Sequence, residues 1–129
     1  MTGNRLYKTE KLCSTRDIER VFSTQGHGIT AYPLRAVYTV TAGKYEPTRF
    51  MISVPKKRHR HAVDRVLLRR RIREAYRLNR SLLNEPLAAA EAHIDVAFIY
   101  LSEKIKPYAV IEAKMRELLS RIATQVCQQ

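Results

Sequence analysis

The sequence predicts an α+β protein, an α/β sandwich in which helices cover one face of a small, mostly antiparallel sheet. Three observations support this class: 129 residues fit one domain, 45% are hydrophobic, and helical periodicity alternates with strand-like alternation along the chain. We therefore expect a single domain over residues 1–129, with the element order α-β-β-β-α-β-α.

The first half of the chain predicts one helix and three strands. Residues 14–22 begin with a Ser and a Thr, either of which can cap a helix, and apolar side chains follow at helical spacing. Residues 34–40 and 49–54 alternate in the manner of strands, and residues 28–33 add a further short strand. Because only a short connection separates residues 34–40 from residues 49–54, we expect those two strands to run antiparallel.

The second half predicts a long helix over residues 62–83, ended by Asn84 and Pro86. A buried strand over residues 94–101 follows, and a last helix begins at Pro107. On a helical wheel with Val63 at zero degrees, most apolar residues of the long helix form one arc, made of Leu67, Leu68, Ile72, Ala75, Leu78 and Leu82.

The net charge of +12 is concentrated in one segment. Residues 56–80 hold eleven Lys or Arg against two acids, which leaves only +3 for the rest of the chain. On the wheel, the face opposite the apolar arc is a row of arginines made of Arg65, Arg69, Arg70, Arg73, Arg77 and Arg80. The like charges in this row repel one another, so the row does not stabilise the fold. Binding to a nucleic acid or another polyanion would explain why it is present.

The loop before this helix extends the basic surface with Lys56, Lys57, Arg58 and Arg60. Its two histidines, His59 and His61, we interpret as further phosphate donors and not as metal ligands. Val66 interrupts the arginine row, and since valine makes no polar contact, we expect asparagine at this position to improve RNA binding.

Several protein classes are excluded. The chain has no apolar stretch long enough to span a bilayer and no apolar core of a secretory signal near its start, so we expect no membrane partner. Cys13 and Cys127 are too few and too far apart for a disulfide framework or a zinc site, which indicates free thiols in a reducing cytoplasm. No motif of a protein active site or a dedicated metal site is present.

Segment 62–77, AVDRVLLRRRIREAYR, following SVPKK at residues 53–57, resembles the bacterial ribonuclease P protein component. The opening LCSTRDIERVF and LRAVYTV and the later IDVAFIYL are similar to that family too, so the resemblance covers a core of about residues 5–122. One departure is clear: where the family has Arg-Asn-Arg, this chain has Arg65, Val66 and Leu67.

The resemblance implies the protein subunit of an endoribonuclease that removes the 5′ leader of precursor tRNA. In that family the RNA subunit carries the chemistry with Mg²⁺, and the fold contains a left-handed β-α-β crossover. The basic surface would then bind the catalytic RNA through Lys57, Arg58, Arg60, Arg65, Arg69, Arg70, Arg73, Arg77 and Arg80. A cleft between the first helix and the sheet would hold the single-stranded leader through Ile18, Phe22, Tyr38, Ser53 and Lys56. The protein is expected to be monomeric apart from its RNA partners.

Two other functions remain open from the residues alone. A ribosomal protein or another non-enzymatic RNA-binding protein would share the basic helix but would need no leader cleft. A DNA-binding protein is less favoured, because an arginine row with few Asn or Gln residues is better suited to phosphates than to base edges.

Overall fold

The structure is a computed structural model that describes residues 11–12, 15–23, 26–41 and 47–127. Within these residues the chain forms four helices and a four-stranded sheet. The helices are α1 (Thr15–Val21), α2 (Ala62–Asn79), α3 (Ser81–Ala89) and α4 (Tyr108–Cys127). The strands are β1 (His27–Ala31), β2 (Leu34–Thr41), β3 (Thr48–Ser53) and β4 (His93–Tyr100). The predicted α+β class is confirmed, and α3 is an addition to the predicted order.

The sheet has the strand order β1-β2-β4-β3. The β1–β2 and β2–β4 pairs are antiparallel, whereas β3 and β4 are parallel neighbours joined by a crossover through α2 and α3. As predicted, β2 and β3 run in opposite directions, but they do not pair, because β4 lies between them. The left-handedness of the crossover stays a prediction.

The two faces of the sheet are covered unequally. On one face, β-strand side chains such as Leu34, Phe50 and Phe98 form the main core with α2, α3 and α4. On the other face, α1 and Leu12 pack on a small cluster built on Val21 and Ala97, with Ile18 against it. Among the described residues, this second face is therefore the less covered one.

Helix α2 is rotated relative to the predicted wheel. Its buried residues are Leu68, Ile72, Ala75 and Tyr76, which fall at roughly 120 to 220 degrees when Val63 is placed at zero. Leu78 and Leu82, both predicted in the apolar arc, are exposed, and Leu82 belongs to α3. The reason is Tyr76, whose ring packs against Phe50 and Phe98 with centroids 4.4 and 5.6 Å away and so turns its side of the helix toward the core.

The predicted helix end at Asn84 and Pro86 is wrong. Helix α2 ends at Asn79, and Asn84 and Pro86 lie inside α3. The Asn79 side chain donates a hydrogen bond to the Ala75 carbonyl at 2.8 Å and thus bonds a carbonyl in the last turn of α2. In α3, Leu83 and Leu87 are completely buried in the main core, and this burial outweighs the helix-breaking tendency of Pro86.

A buried ion network fixes α1 on the sheet. Arg49 on β3 donates two hydrogen bonds to Asp95 on β4, at 2.9 and 2.8 Å, and a third to Asp17 on α1, at 2.8 Å. The hydrogen bond to Asp95 is the largest of the effects that raise the pKa of Arg49. The sequence suggests that Asp17 is an ordinary surface charge, which is wrong, since its exposed fraction is 8%.

Candidate nucleic-acid interface

The basic residues of α2 divide into two groups by their partners. Arg69, Arg70 and Arg73 are exposed, and none of them has a hydrogen bond or ion pair with any residue that the structure describes. They lie on the flank of α2 that is turned away from the buried residues. Three guanidinium groups without a partner in the fold can each bind phosphate through two hydrogen bonds.

The other arginines of α2 are engaged within the fold. Arg65 donates to the carbonyls of His59 and Arg60, each at 2.9 Å, and Arg71 donates to the Lys106 carbonyl at 2.6 Å. Arg77 forms a paired contact with Glu74, at 2.8 and 2.7 Å, and this hydrogen bonding lowers the pKa of Glu74. These side chains hold the basic surface in place.

The predicted RNA-binding residues outside this helix are divided in the same way. Lys56, Lys57 and Arg60 are exposed and have no side-chain partner among the described residues, so they extend the free basic surface. Arg58 instead donates to the Leu101 carbonyl, and Arg80 has an interaction within the chain.

His59 does not belong to the phosphate-binding surface. Its ring is buried, Nε2 lies 2.8 Å from the Ser102 carbonyl oxygen, and it packs beside the Tyr100 ring. The histidine joins the basic loop to the end of β4, and the prediction that it donates to phosphate is wrong. His61 is exposed immediately before α2.

Four of the five predicted leader-binding residues lie on or beside the less covered face of the sheet. Ile18 is half-buried against the sheet, and Phe22, directly after α1, has 49% of its surface exposed. Ser53 is half-buried at the end of β3 and points to the same side as Met51, two residues before it. Lys56 is exposed three residues beyond Ser53.

The structure does not bring Tyr38 into this cleft. Tyr38 lies on the opposite face of the sheet, buried in the main core, where its hydroxyl donates to Gln125 Oε1 on α4 at 2.7 Å. Burial raises the pKa of Tyr38. The strand alternation already groups Tyr38 with Leu34 and Ala36, and that parity is the signal that could have excluded it.

The structure adds cleft residues that the sequence analysis missed. Arg35, Ile99 and Ser53 are register partners across β2, β4 and β3, so they form one row on the α1 side of the sheet. Ile99 is half-buried and Arg35 is exposed. The row next to it, Val37, Ala97 and Met51, forms the cluster under α1. Strand pairing places these residues together, and no local pattern shows which strands pair.

A metal site in a protein is usually built from several His, Cys, Asp or Glu side chains that lie close together. No group of three or more His, Cys, Asp or Glu side chains is arranged to hold an ion within these ranges. Asp17 and Asp95 are paired with Arg49, and Glu74 with Arg77. The helices in the part of the chain described here are also too short or too polar to span a bilayer. Cys127 is a free thiol, and Cys13 lies outside the described residues.

Comparison of the sequence with known families gives one match, to the family described as Ribonuclease P, over residues 6–123. The chain is 37% identical over 122 residues to the ribonuclease P protein component of Porphyromonas gingivalis strain W83. That alignment covers 94% of this chain and 88% of the relative.

The fold is similar to solved structures of the same kind. The RNase P protein of Staphylococcus aureus superposes with a TM-score of 0.68 at 22% identity, over 88% of this chain and 94% of the other. The RNase P protein of Thermotoga maritima superposes with a TM-score of 0.69 at 20% identity, over 87% and 96% of the two chains.

Proposed function

Because this chain belongs to the ribonuclease P protein family, we propose that it binds the catalytic RNA subunit through α2 and the 5′ leader of precursor tRNA through its open sheet face. The family is that of a protein component of the tRNA-processing endoribonuclease, with ribonuclease P RNA as partner. The proposal concerns which surfaces make the contacts and what each contact does.

The observation that carries the proposal is the set of unpaired cations on and before α2. Arg69, Arg70 and Arg73 on α2 and Lys57 and Arg60 before it are exposed, and none of the five has a partner among the described residues. Unpaired arginines cost folding energy through mutual repulsion, and an RNA backbone offsets that cost. This surface is the proposed contact with the RNA subunit.

The leader side is supported by the half-open face beside α1. Phe22, directly after α1, exposes an aromatic ring, and the row of Arg35, Ile99 and Ser53 adds apolar and cationic groups, with Lys56 three residues beyond Ser53. Single-stranded RNA binds to surfaces of this kind, since unstacked bases pack on aromatic or apolar groups while phosphates contact cations.

The chemistry is assigned to RNA. Mg²⁺ would serve through the RNA subunit, as the resemblance to the family implies. The protein would position the leader and neutralise phosphates, as a cytoplasmic subunit that is monomeric apart from its RNA. The alternative, a ribosomal or other non-enzymatic RNA-binding protein, explains the basic surface but gives no role to the leader face.

Reconstitution tests the proposal. The full chain is combined with a bacterial ribonuclease P RNA at a low Mg²⁺ concentration, and cleavage of precursor tRNA is measured. We expect the protein to accelerate cleavage and to favour binding of precursor over mature tRNA. If the protein binds the RNA without accelerating cleavage or discriminating between the two tRNAs, the function is that of a plain RNA-binding module.

A further inference from the structure

A groove of about 500 Å³ runs between α2 and β3, on the outer edge of the sheet. Its volume is within the range of small-ligand sites in proteins. Among the described residues, the lining combines apolar side chains with cations and contains no acid: Leu12, Phe50, Met51, Ile52 and Val66, with Lys11, Arg69, Arg70 and Arg73. We call these apolar residues the groove floor and these cations the groove rim.

The backbone of β3 adds polar groups to the groove. The Phe50 carbonyl accepts a hydrogen bond from the Leu12 amide at 2.7 Å, on the side of β3 that faces away from β4. Because residues two apart in a strand direct their backbone groups to the same side, the N–H and C=O of Ile52 also point outward. Ile52 lines the groove, so one donor and one acceptor lie beside the apolar floor.

Val66 is the residue that makes this groove distinctive. It lies on α2 between the rim arginines and has 51% of its surface exposed, so the fold does not need its apolar side chain there. A polar residue would be the ordinary choice at a half-exposed helix position surrounded by arginines. A valine at this position suits an apolar contact with a bound partner.

We propose that the groove between α2 and β3 holds one unpaired nucleotide of the catalytic RNA subunit. Its base would pack on the floor against Val66 and Met51 and would bond the Ile52 backbone, and its two flanking phosphates would contact the rim arginines. The inference rests on the proposed function and makes it more specific. The groove adjoins the leader face, since Leu12 and Met51 of its floor also belong to the cluster under α1. The RNA subunit is the proposed source because the three rim arginines belong to the surface assigned to that partner.

The substitution Val66→Asn tests the groove. It removes apolar contact area while helix propensity stays similar and half of the side chain is in solvent, so the protein should fold normally. We expect affinity for the RNA subunit, measured without tRNA, to fall by about three- to tenfold. The matched control is Val110→Asn on α4, a valine with 38% exposure that does not line the groove, and it should change affinity less than twofold.

Chemical probing of the bases provides a second measurement. In the wild-type complex one unpaired base of the RNA subunit should be protected from dimethyl sulfate or a similar base-modifying reagent. The same base should regain reactivity with Val66→Asn, while the complex is held saturated by raising the protein concentration.

Four results would overturn the inference. Tighter RNA binding by Val66→Asn would support the polar contact expected from the sequence alone. If neither the RNA affinity nor the reactivity of any base changed with Val66→Asn, the groove would not hold a base. A loss confined to precursor tRNA would mean that the groove holds the leader, and a clear drop in melting temperature would mean that Val66 serves the fold. If wild-type protein fails to bind the RNA subunit at all, the proposed function fails first.

Discussion

At the residue scale, the six arginines of α2 carry the same charge but differ in their partners. Arg65, Arg71 and Arg77 are held by carbonyls or by Glu74, whereas Arg69, Arg70 and Arg73 are free among the described residues. A wheel drawn from the sequence treats Arg73 and Arg77 as equivalent, because it shows where a side chain points but not what it contacts. In the structure, Arg77 is paired with Glu74, whereas Arg73 has no partner among the described residues.

The first prediction compares Arg73→Ala with Arg77→Ala in RNA-subunit binding. Each free cation that contacts a phosphate contributes roughly one unit to the slope of log affinity against log salt. We expect Arg73→Ala to reduce that slope by about 1, and Arg77→Ala to change it much less, since Glu74 already neutralises Arg77. Equal reductions measured over a salt titration would mean that the Arg77–Glu74 pair opens on RNA.

The second prediction separates Phe22 from Tyr38. Phe22→Ala should weaken precursor tRNA binding relative to mature tRNA, because a stacked base is worth about 1–3 kcal/mol. Tyr38→Phe should leave that ratio unchanged and lower the free energy of unfolding by about 0.5–1.5 kcal/mol through the lost bond to Gln125. If Tyr38→Phe instead lowered the affinity for precursor tRNA relative to mature tRNA, Tyr38 would belong to the leader site.

At the element scale, α1 is short and depends on its contacts for its position. Seven residues are too few for a helix that is stable alone, so the apolar cluster under Val21 and the Arg49 network must hold it on the sheet. The wall of the proposed leader cleft is therefore only as well positioned as that network allows.

The third prediction concerns this network. Asp95→Asn should cost about 3–5 kcal/mol of unfolding free energy, because Asp95 is 1% exposed and receives two of the three Arg49 bonds. Asp17→Asn should cost less, about 1–3 kcal/mol, since Arg49 keeps Asp95. Glu117→Gln, whose ion pairs with Lys114 and Arg121 are exposed, is the control and should cost under about 1 kcal/mol. Denaturant titration in which Asp17→Asn costs as much as Asp95→Asn would contradict this ranking.

Sequence periodicity predicts most of the elements but not their arrangement. The strands at residues 34–40, 49–54 and 94–101 are found within a residue or so of those positions, because alternation is a local property. The insertion of β4 between β2 and β3 is a consequence of packing over long separations, which no local pattern shows. The leader face follows the same logic, since register alone brings Arg35, Ile99 and Ser53 into one row.

Helix α2 shows the same limit within one element. The wheel places Arg69, Arg70 and Arg73 on the outer side correctly, but it misses the buried Tyr76 and gives Leu78 and Leu82 a place in the core that they do not have. An aromatic residue with a polar hydroxyl is ambiguous in sequence, and its neighbours Phe50 and Phe98 come from other elements. The break at Arg80 depends likewise on contacts that α3 makes with α4.

At the scale of the whole molecule, the charge and the core lie in different places. The main core is formed by the sheet with α2, α3 and α4, while the unpaired cations of segment 56–80 are all exposed. This separation lets the protein carry a formal net charge of +12 without burying uncompensated arginines. The phosphates of an RNA partner would neutralise these cations and so remove the repulsion between them.

The salt dependence of wild-type binding to the RNA subunit tests this account most directly. Five free cations assigned to the RNA subunit, Lys57, Arg60, Arg69, Arg70 and Arg73, are available for phosphates among the described residues. If all five make contacts, log affinity should fall against log salt with a slope of about −3.5 to −4.5. A slope near zero would contradict the account, because RNA would then be bound without the surface on which the proposal depends.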